Sequence, residues 1–214
     1  LTHKSGGAQG GINQEDCRDT QIAIIPLSEQ QAIANFLDKK TGEIDQAIAL
    51  LETQKTDLQA YRQVLITETV TKGLNPNAPM KDSGIQWIGE IPESWCITRI
   101  KYLANTQENS FIDGDWIESP YVTDIGIRYL TSGNIGNGVF KRQGNGYITE
   151  DTFQKLNCKY AYPGDLVFCR LNQPFGRSCI LPDDQDRYVL AVDNVILRTN
   201  EDKRYICYLT QLER

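Results

Sequence analysis

Leu37, Ile44, Leu51, Leu58 and Leu65 fall at strict seven-residue spacing, with Ile33 and Ile48 one turn to the side. This pattern predicts a helix over residues 28–72 carrying a narrow apolar seam of the kind that packs against one other helix. At 1.5 Å per residue, a helix of roughly 45 residues is about 65 Å long, more than one small core needs. The segment therefore reads as a spacer. Ser28 with Gln31 three positions on has the form of a capping box at its start. Gly73 suits its C′ position, and Asn75-Pro76-Asn77-Ala78-Pro79 cannot continue a helix. Lys55 and Arg62 take the second seam position of their heptads, so the later half of the seam is polar on one flank. Arg62 and its neighbour Tyr61 are placed to meet a partner helix or subunit.

On either side of this helix the pattern changes. Residues 1–25 read as a tail in which a glycine-rich loop is followed by a strand, Gln21-Ile-Ala-Ile-Ile25, ended by Pro26. Residues 73–94 read as a connector whose Trp87, with Trp95 just beyond it, anchors it by apolar contact. From Trp95 onward short apolar or alternating runs are separated by Gly and Pro turns, as in residues 121–127, 128–130, 139–140, 166–169, 178–181, 188–192 and 194–197. Thr149 caps an expected short helix, and residues 202–212 look like the start of another that the end of the chain cuts off. The fold class is α+β: residues 26–72 as a long spacer helix, half of an antiparallel coiled coil, joined to a strand-rich domain over residues 95–214, itself expected to be truncated.

The net charge of −6 excludes a uniformly basic nucleic-acid binder, since non-specific affinity for DNA comes mainly from phosphate neutralisation. Local balance matters more. From Trp95 to the end, 14 Lys and Arg stand against 15 Asp and Glu, so bases are free to gather on one face. No apolar run approaches a membrane span. Six scattered cysteines without a Cys-x-x-Cys pair suit a reducing cytoplasm and no structural metal.

Several blocks together name a family: Ile25-Pro-Leu-Ser-Glu-Gln30, Ile33-Ala-Asn-Phe-Leu-Asp38, Leu58-Gln-Ala-Tyr-Arg62, Leu65-Ile-Thr-Glu-Thr-Val-Thr-Lys-Gly73, and the run from Met80 to Trp95 with Gly84-Ile-Gln-Trp-Ile-Gly-Glu-Ile-Pro92. In order, they resemble the central region of the DNA-specificity (S) subunit of type I restriction–modification systems. The likeness continues through Tyr129-Leu-Thr-Ser-Gly-Asn-Ile135, Tyr162-Pro-Gly-Asp-Leu-Val-Phe-Cys-Arg170 and Phe175-Gly-Arg-Ser-Cys-Ile180. It implies that residues 1–25 are the C-terminal tail of a first target-recognition domain, 26–72 a spacer helix and 95–214 a second target-recognition domain. It also implies a non-catalytic, cytoplasmic chain that recognises double-stranded DNA with a bipartite site. Methyltransferase (M) and restriction (R) subunits would supply methylation and cleavage with S-adenosylmethionine, ATP and Mg, leaving no cofactor in this chain. The family's second helix is missing, so the seam of Leu37, Ile44, Ile48, Leu51, Leu58 and Leu65 is open to a second specificity chain.

The candidate chemistry fits reading better than catalysis. His3 stands alone in the tail, Asp165 in Pro163-Gly-Asp165 lacks the Glu-x-Lys of a nuclease site, and Gly133-Asn-Ile-Gly-Asn-Gly138 lacks a phosphate loop's Lys and reads as a hairpin turn. Direct readout needs Arg, Asn or Gln on exposed loops near phosphate-holding bases. Two loops answer: one with Lys141, Arg142, Gln143 and Asn145, the other with Arg170, Asn172, Gln173 and Arg177. A solvated hairpin tip is the competing reading of each residue, and a non-reading assembly fragment that pairs through its helix is the competing reading of the chain.

Overall fold

The computed structural model describes residues 14–144, 146–171 and 176–212. His3, Asn145, Asn172 and Gln173 lie outside them. The chain divides into two units, with the boundary between Asp57 and Leu58.

In the first unit, α1 (Gln14–Arg18) precedes α2 (Leu27–Lys72), whose later turns belong to the second unit. Residues 21–25 do not form the expected strand: Ile22 and Ile24 are each 78% exposed, and among the described residues no backbone pairs with this segment. Alternation alone does not make a strand, because the ladder needs a partner. The helix also starts one residue early. The Pro26 carbonyl accepts the Glu29 and Gln30 N–H groups, each at 3.0 Å, so Ser28 lies within the first turn and the capping box does not form.

At its other end α2 stops as expected. Gly73 takes φ +78°, its N–H bonds to the Thr69 carbonyl at 3.0 Å, and a Cβ there would sit 3.2 Å from Trp95 Cζ2. The seam positions Leu37, Ile44, Ile48, Leu51, Leu58 and Leu65 are all exposed; α2 instead buries Ile66, Val70 and Thr71. Ile66 lies about 100° around the helix from Leu65, so in its last turns α2 has two apolar faces. One packs on Leu212 and Leu209 of its own unit, and the seam face is open. Arg62 likewise turns to its own unit, donating to Gln211 Oε1 at 3.1 Å, while Gln63 donates to the Gln211 carbonyl at 2.9 Å.

The second unit is α+β. A hairpin of β1 (Met80–Asp82) and β2 (Glu90–Pro92) forms the connector. Beyond it lie two sheets. The first is antiparallel, ordered β3 (Phe111–Asp113), β9 (Asn194–Leu197), β6 (Leu166–Cys169), β7 (Ser178–Ile180); the second runs β5 (Tyr147–Ile148), β4 (Ile127–Leu130), β8 (Tyr188–Leu190), with β4 and β8 parallel. Residues 121–127, expected as a strand, follow a 3-10 turn at Ser119–Tyr121 and hold only an isolated pairing of Thr123 with Tyr147 before β4.

The main core lies between the sheets, where Leu130, Tyr188 and Leu190 meet Val167, Cys169, Cys179 and Ile196. Alternate residues face outward: Leu166, Phe168, Val195 and Leu197 pack under α4 (Lys203–Leu209), and Ile127, Ile148 and Val189 pack with Phe153 of α3 (Glu150–Lys155). Burial on both faces explains why Leu166-Val-Phe-Cys169 and Asn194-Val-Ile-Leu197 are almost continuously apolar. Thr149 caps α3, its hydroxyl accepting the Thr152 N–H at 3.1 Å. Asp202 caps α4 through the Arg204 and Tyr205 N–H groups. That helix ends at Leu209, where the Thr210 N–H bonds to the Ile206 carbonyl, rather than at the end of the chain.

Candidate nucleic-acid interface

Lys141 and Gln143 of the first candidate loop and Arg177 of the second meet on one short segment. After β4, a 3-10 turn at Ser132–Asn134 is held by the Thr131 N–H donating to Asn134 Oδ1 at 2.9 Å. Asn134 is 3% exposed, and its amide donates to the carbonyls of Lys141 (3.1 Å) and Gln143 (2.8 Å). Gln143 returns the contact, Nε2 donating to the Gly133 carbonyl at 2.6 Å. A side chain at Gly133 would displace that amide, since its Cβ would lie 2.6 Å from Gln143 Nε2. From the other side Arg177 donates to the carbonyls of Ser132 (2.9 Å) and Ile135 (2.6 Å). The Gly-rich run 133–138 does turn back on itself, pairing Ile135 with Phe140, and the Gly138 N–H reaches Ser178 of β7 at 2.9 Å.

This arrangement sorts the expected contact residues. Arg177 is 9% exposed, and its guanidinium also reaches the Leu171 carbonyl at 3.4 Å. It organises backbone from within and is not presented to solvent, contrary to the expectation that it reads DNA. Lys141 and Arg142 are exposed. Gln143 is exposed as well but tied to Gly133. Arg170 lies away from this cluster, its guanidinium on the Val192 carbonyl and 3.3 Å from Asp113 of β3.

Residues that sequence reasoning passed over complete the site. Arg128 of β4 donates to the carbonyls of Gln143 (2.9 Å), Gly144 (2.5 Å) and Gly146 (3.0 Å), fixing the loop from below, and its guanidinium lies 5.2 Å from the Tyr147 ring centre. Asp184 accepts from Arg142 Nε at 2.9 Å and from the Tyr188 hydroxyl at 2.5 Å. These residues line a cleft of about 190 Å³ with Phe140 and Gln185. The Tyr188 hydroxyl first, and Arg142 after it, hold the Asp184 carboxyl below its ordinary range; burial and then Asp184 push the Tyr188 phenol up. The Thr131-x-x-Asn134 capping pattern was a visible signal for Asn134. Nothing local marked Asp184.

Asp165 is structural. Its carboxylate accepts Arg198 Nη2 at 2.9 Å and the Tyr162 N–H at 2.9 Å, with only 8% of its side chain exposed. Trp87 and Trp95 line an apolar cleft of about 390 Å³ with Ile91, Val70, Ile206 and Leu209, and no cation lines it, which suits anchors better than base-stacking platforms. Among the described residues no group of His, Cys, Asp and Glu is disposed to hold a metal ion, and no helix is long and apolar enough to cross a membrane.

No family model matches the chain. It is 25% identical over 209 residues, 94% of its length, to the type I restriction enzyme MjaVIII specificity subunit of Methanocaldococcus jannaschii, of which it covers 46%. Over 100 residues, 45% of its length, it is 29% identical to the EcoBI specificity subunit of Escherichia coli, covering 21% of that protein. In fold, 97% of the chain superposes on 46% of a chain from a structure of the type I R-M system, with TM-score 0.67 and 16% identity. All of it superposes on 49% of the HsdS subunit from Thermoanaerobacter tengcongensis, with TM-score 0.52 and 16% identity. The chain spans about half the length of the first of these relatives. Along nearly its whole sequence, and in its fold, it is a partial relative of the specificity subunits of type I restriction–modification systems.

Proposed function

We propose that this chain is the sequence-specific DNA-recognition part of a type I restriction–modification complex and breaks no bond itself. The strand-rich unit reads one half of a bipartite site in double-stranded DNA. Lys141 and Arg142 are its best-placed contacts, with Gln143 beside them and Asn145, Arg170, Asn172 and Gln173 as further candidates. The spacer helix sets half-site separation by pairing its seam with a second helix, much as dimer geometry sets half-site spacing in other DNA binders. Methyltransferase subunits then act with S-adenosylmethionine, and restriction subunits with ATP and Mg, in the cytoplasm.

One observation carries this reading: residues 141–143 and Arg177 converge on Ser132–Asn134, so that a rigid, hydrogen-bonded platform presents Lys141 and Arg142 to solvent. A platform of that kind suits base readout, which requires donors held in a fixed direction. The test is enrichment of duplexes from a randomised pool by the chain, followed by titration of the enriched duplex and a scrambled one at two salt concentrations. The selected duplex binds more tightly at both salts if the proposal is right. Equal affinity at both would leave only phosphate attraction.

A second reading is an assembly fragment that pairs through α2 without reading DNA. Two observations favour it: the exposure of Leu37, Ile44, Ile48 and Leu51, and the pairing of Arg142 and Arg170 with carboxylates. It predicts a self-associating or partner-bound chain with no base preference. Ile44→Lys with Leu51→Lys abolishes that association, if it exists, without lowering the stability of the strand-rich unit.

A further inference from the structure

The Arg142–Asp184 contact differs from an ordinary surface ion pair because both of its ends are held. Asp184 is fixed by the hydroxyl of Tyr188, a residue 1% exposed whose hydroxyl oxygen also lies 2.9 Å from the Pro182 carbonyl. The backbone on either side of Arg142 is tied through Lys141 and Gln143 to Asn134, and through Gln143 to Arg128. Asp184 takes only the Nε edge of the guanidinium. The two terminal nitrogens, on a side chain 69% exposed, keep the parallel N–H pair that meets a planar acceptor such as the O6 and N7 atoms of guanine.

Charge decides between a base and a phosphate as the target. A cation intended for phosphate gains from being alone, since each neutralised phosphate releases counterions. A carboxylate 2.9 Å away cancels that gain and repels the backbone. What the carboxylate supplies is direction, which matters only where one edge must be distinguished from another. On the DNA-reading function proposed above, we infer that Arg142 is a guanine-reading side chain and that Asp184, held by Tyr188, is the residue that positions it.

The inference is tested by selection from a pool of duplexes with a randomised core, using the chain and its Arg142→Lys, Asp184→Asn and Tyr188→Phe variants. Near-ultraviolet circular dichroism confirms that each variant is folded, and Lys141→Ala serves as a control for a simple loss of charge. The wild-type chain enriches guanine at one position by at least about fivefold, a modest value for one bidentate contact. Arg142→Lys and Asp184→Asn both reduce that preference towards uniformity at the same position and leave the others intact. Tyr188→Phe weakens it in part. Lys141→Ala lowers affinity for all sequences alike and flattens the salt dependence.

Three results would overturn the inference while leaving DNA reading in place. These are a guanine preference that survives Arg142→Lys, an Asp184→Asn variant that binds every sequence more tightly with its base preferences unchanged, or a folded Asp184→Asn variant that loses preference evenly at all positions. A wild-type chain that enriches no sequence overturns the DNA-reading function itself, and this positioning role with it.

Discussion

Replacing Arg177 with Met keeps most of the side-chain volume and removes the fork that, among the described residues, holds the carbonyls of Ile135, Ser132 and Leu171. Two of its hydrogen bonds are short, at 2.6 and 2.9 Å to Ile135 and Ser132; the third, at 3.4 Å to Leu171, is weak. Hydrogen bonds to a charged group contribute about 1.5–3 kcal/mol each, and buried carbonyls left without a donor cost more than exposed ones. Relief from burying the guanidinium offsets part of this loss. The net destabilisation is about 3 kcal/mol, which at a urea m-value of about 2 kcal/mol/M moves the unfolding midpoint down by about 1.5 M. Fluorescence of Trp87, Trp95 and Trp116 follows the transition. Arg177→Lys keeps the charge but not the planar fork, so it recovers less than half of the loss. If the midpoint of Arg177→Met were unchanged while DNA affinity fell and its salt dependence flattened, Arg177 would be a phosphate contact and its placement in the interior wrong.

Other expectations follow from the same structure. Asp165→Ala leaves Arg198, with only 16% of its side chain exposed, on the carbonyls of Asn109 and Tyr160 without its carboxylate, and costs about 3–5 kcal/mol in urea unfolding; Arg204→Ala, which removes a solvent-exposed pair, does not move the midpoint. Gly73→Ala forces a left-handed φ on a Cβ facing Trp95 and costs about 1 kcal/mol; a stabilised variant would mean that α2 ends differently. At pH 8 a thiol reagent labels Cys17 and Cys96 rapidly and the other four slowly, since those four are buried and burial pushes Cys158 up to about 11 and Cys179 up to about 12; a third fast thiol would contradict the core. Asp184, with its folded pKa depressed, contributes stability that is complete above the ordinary carboxylate value and lost as the pH falls through the depressed one. Asp184→Asn therefore removes part of the acid limb of the stability profile, measured by midpoints between pH 2 and pH 6.

Features legible in the sequence were those encoded within a few residues. Gly73 ends α2 because a left-handed residue is tolerated there, and Thr149 and Asp202 start their helices because a side-chain oxygen and an N–H two or three positions on are neighbours in any helix. The strands β6, β8 and β9 were readable for a related reason: a segment covered on both faces must be apolar at successive positions. The seven-residue repeat of α2 was legible in the same way.

Tertiary structure alone decided what those elements meet. Residues 21–25 have a strand's alternation but, among the described residues, no strand to pair with, because pairing depends on backbone elsewhere in the chain. On α2 the buried face is Ile66 and Val70 rather than Leu58 and Leu65, a choice made by Leu212, which is 142 positions beyond Val70 in sequence. Arg177 and Arg142 look alike in sequence, as arginines in glycine-containing loops. One turns inward onto the carbonyls of Ser132 and Ile135; the other turns outward against Asp184, 42 residues away, which only the packing of Tyr188 brings there. Local periodicity and capping act over a turn or two of chain, whereas the direction of a polar side chain is set by partners that only the folded arrangement of the sheets brings close.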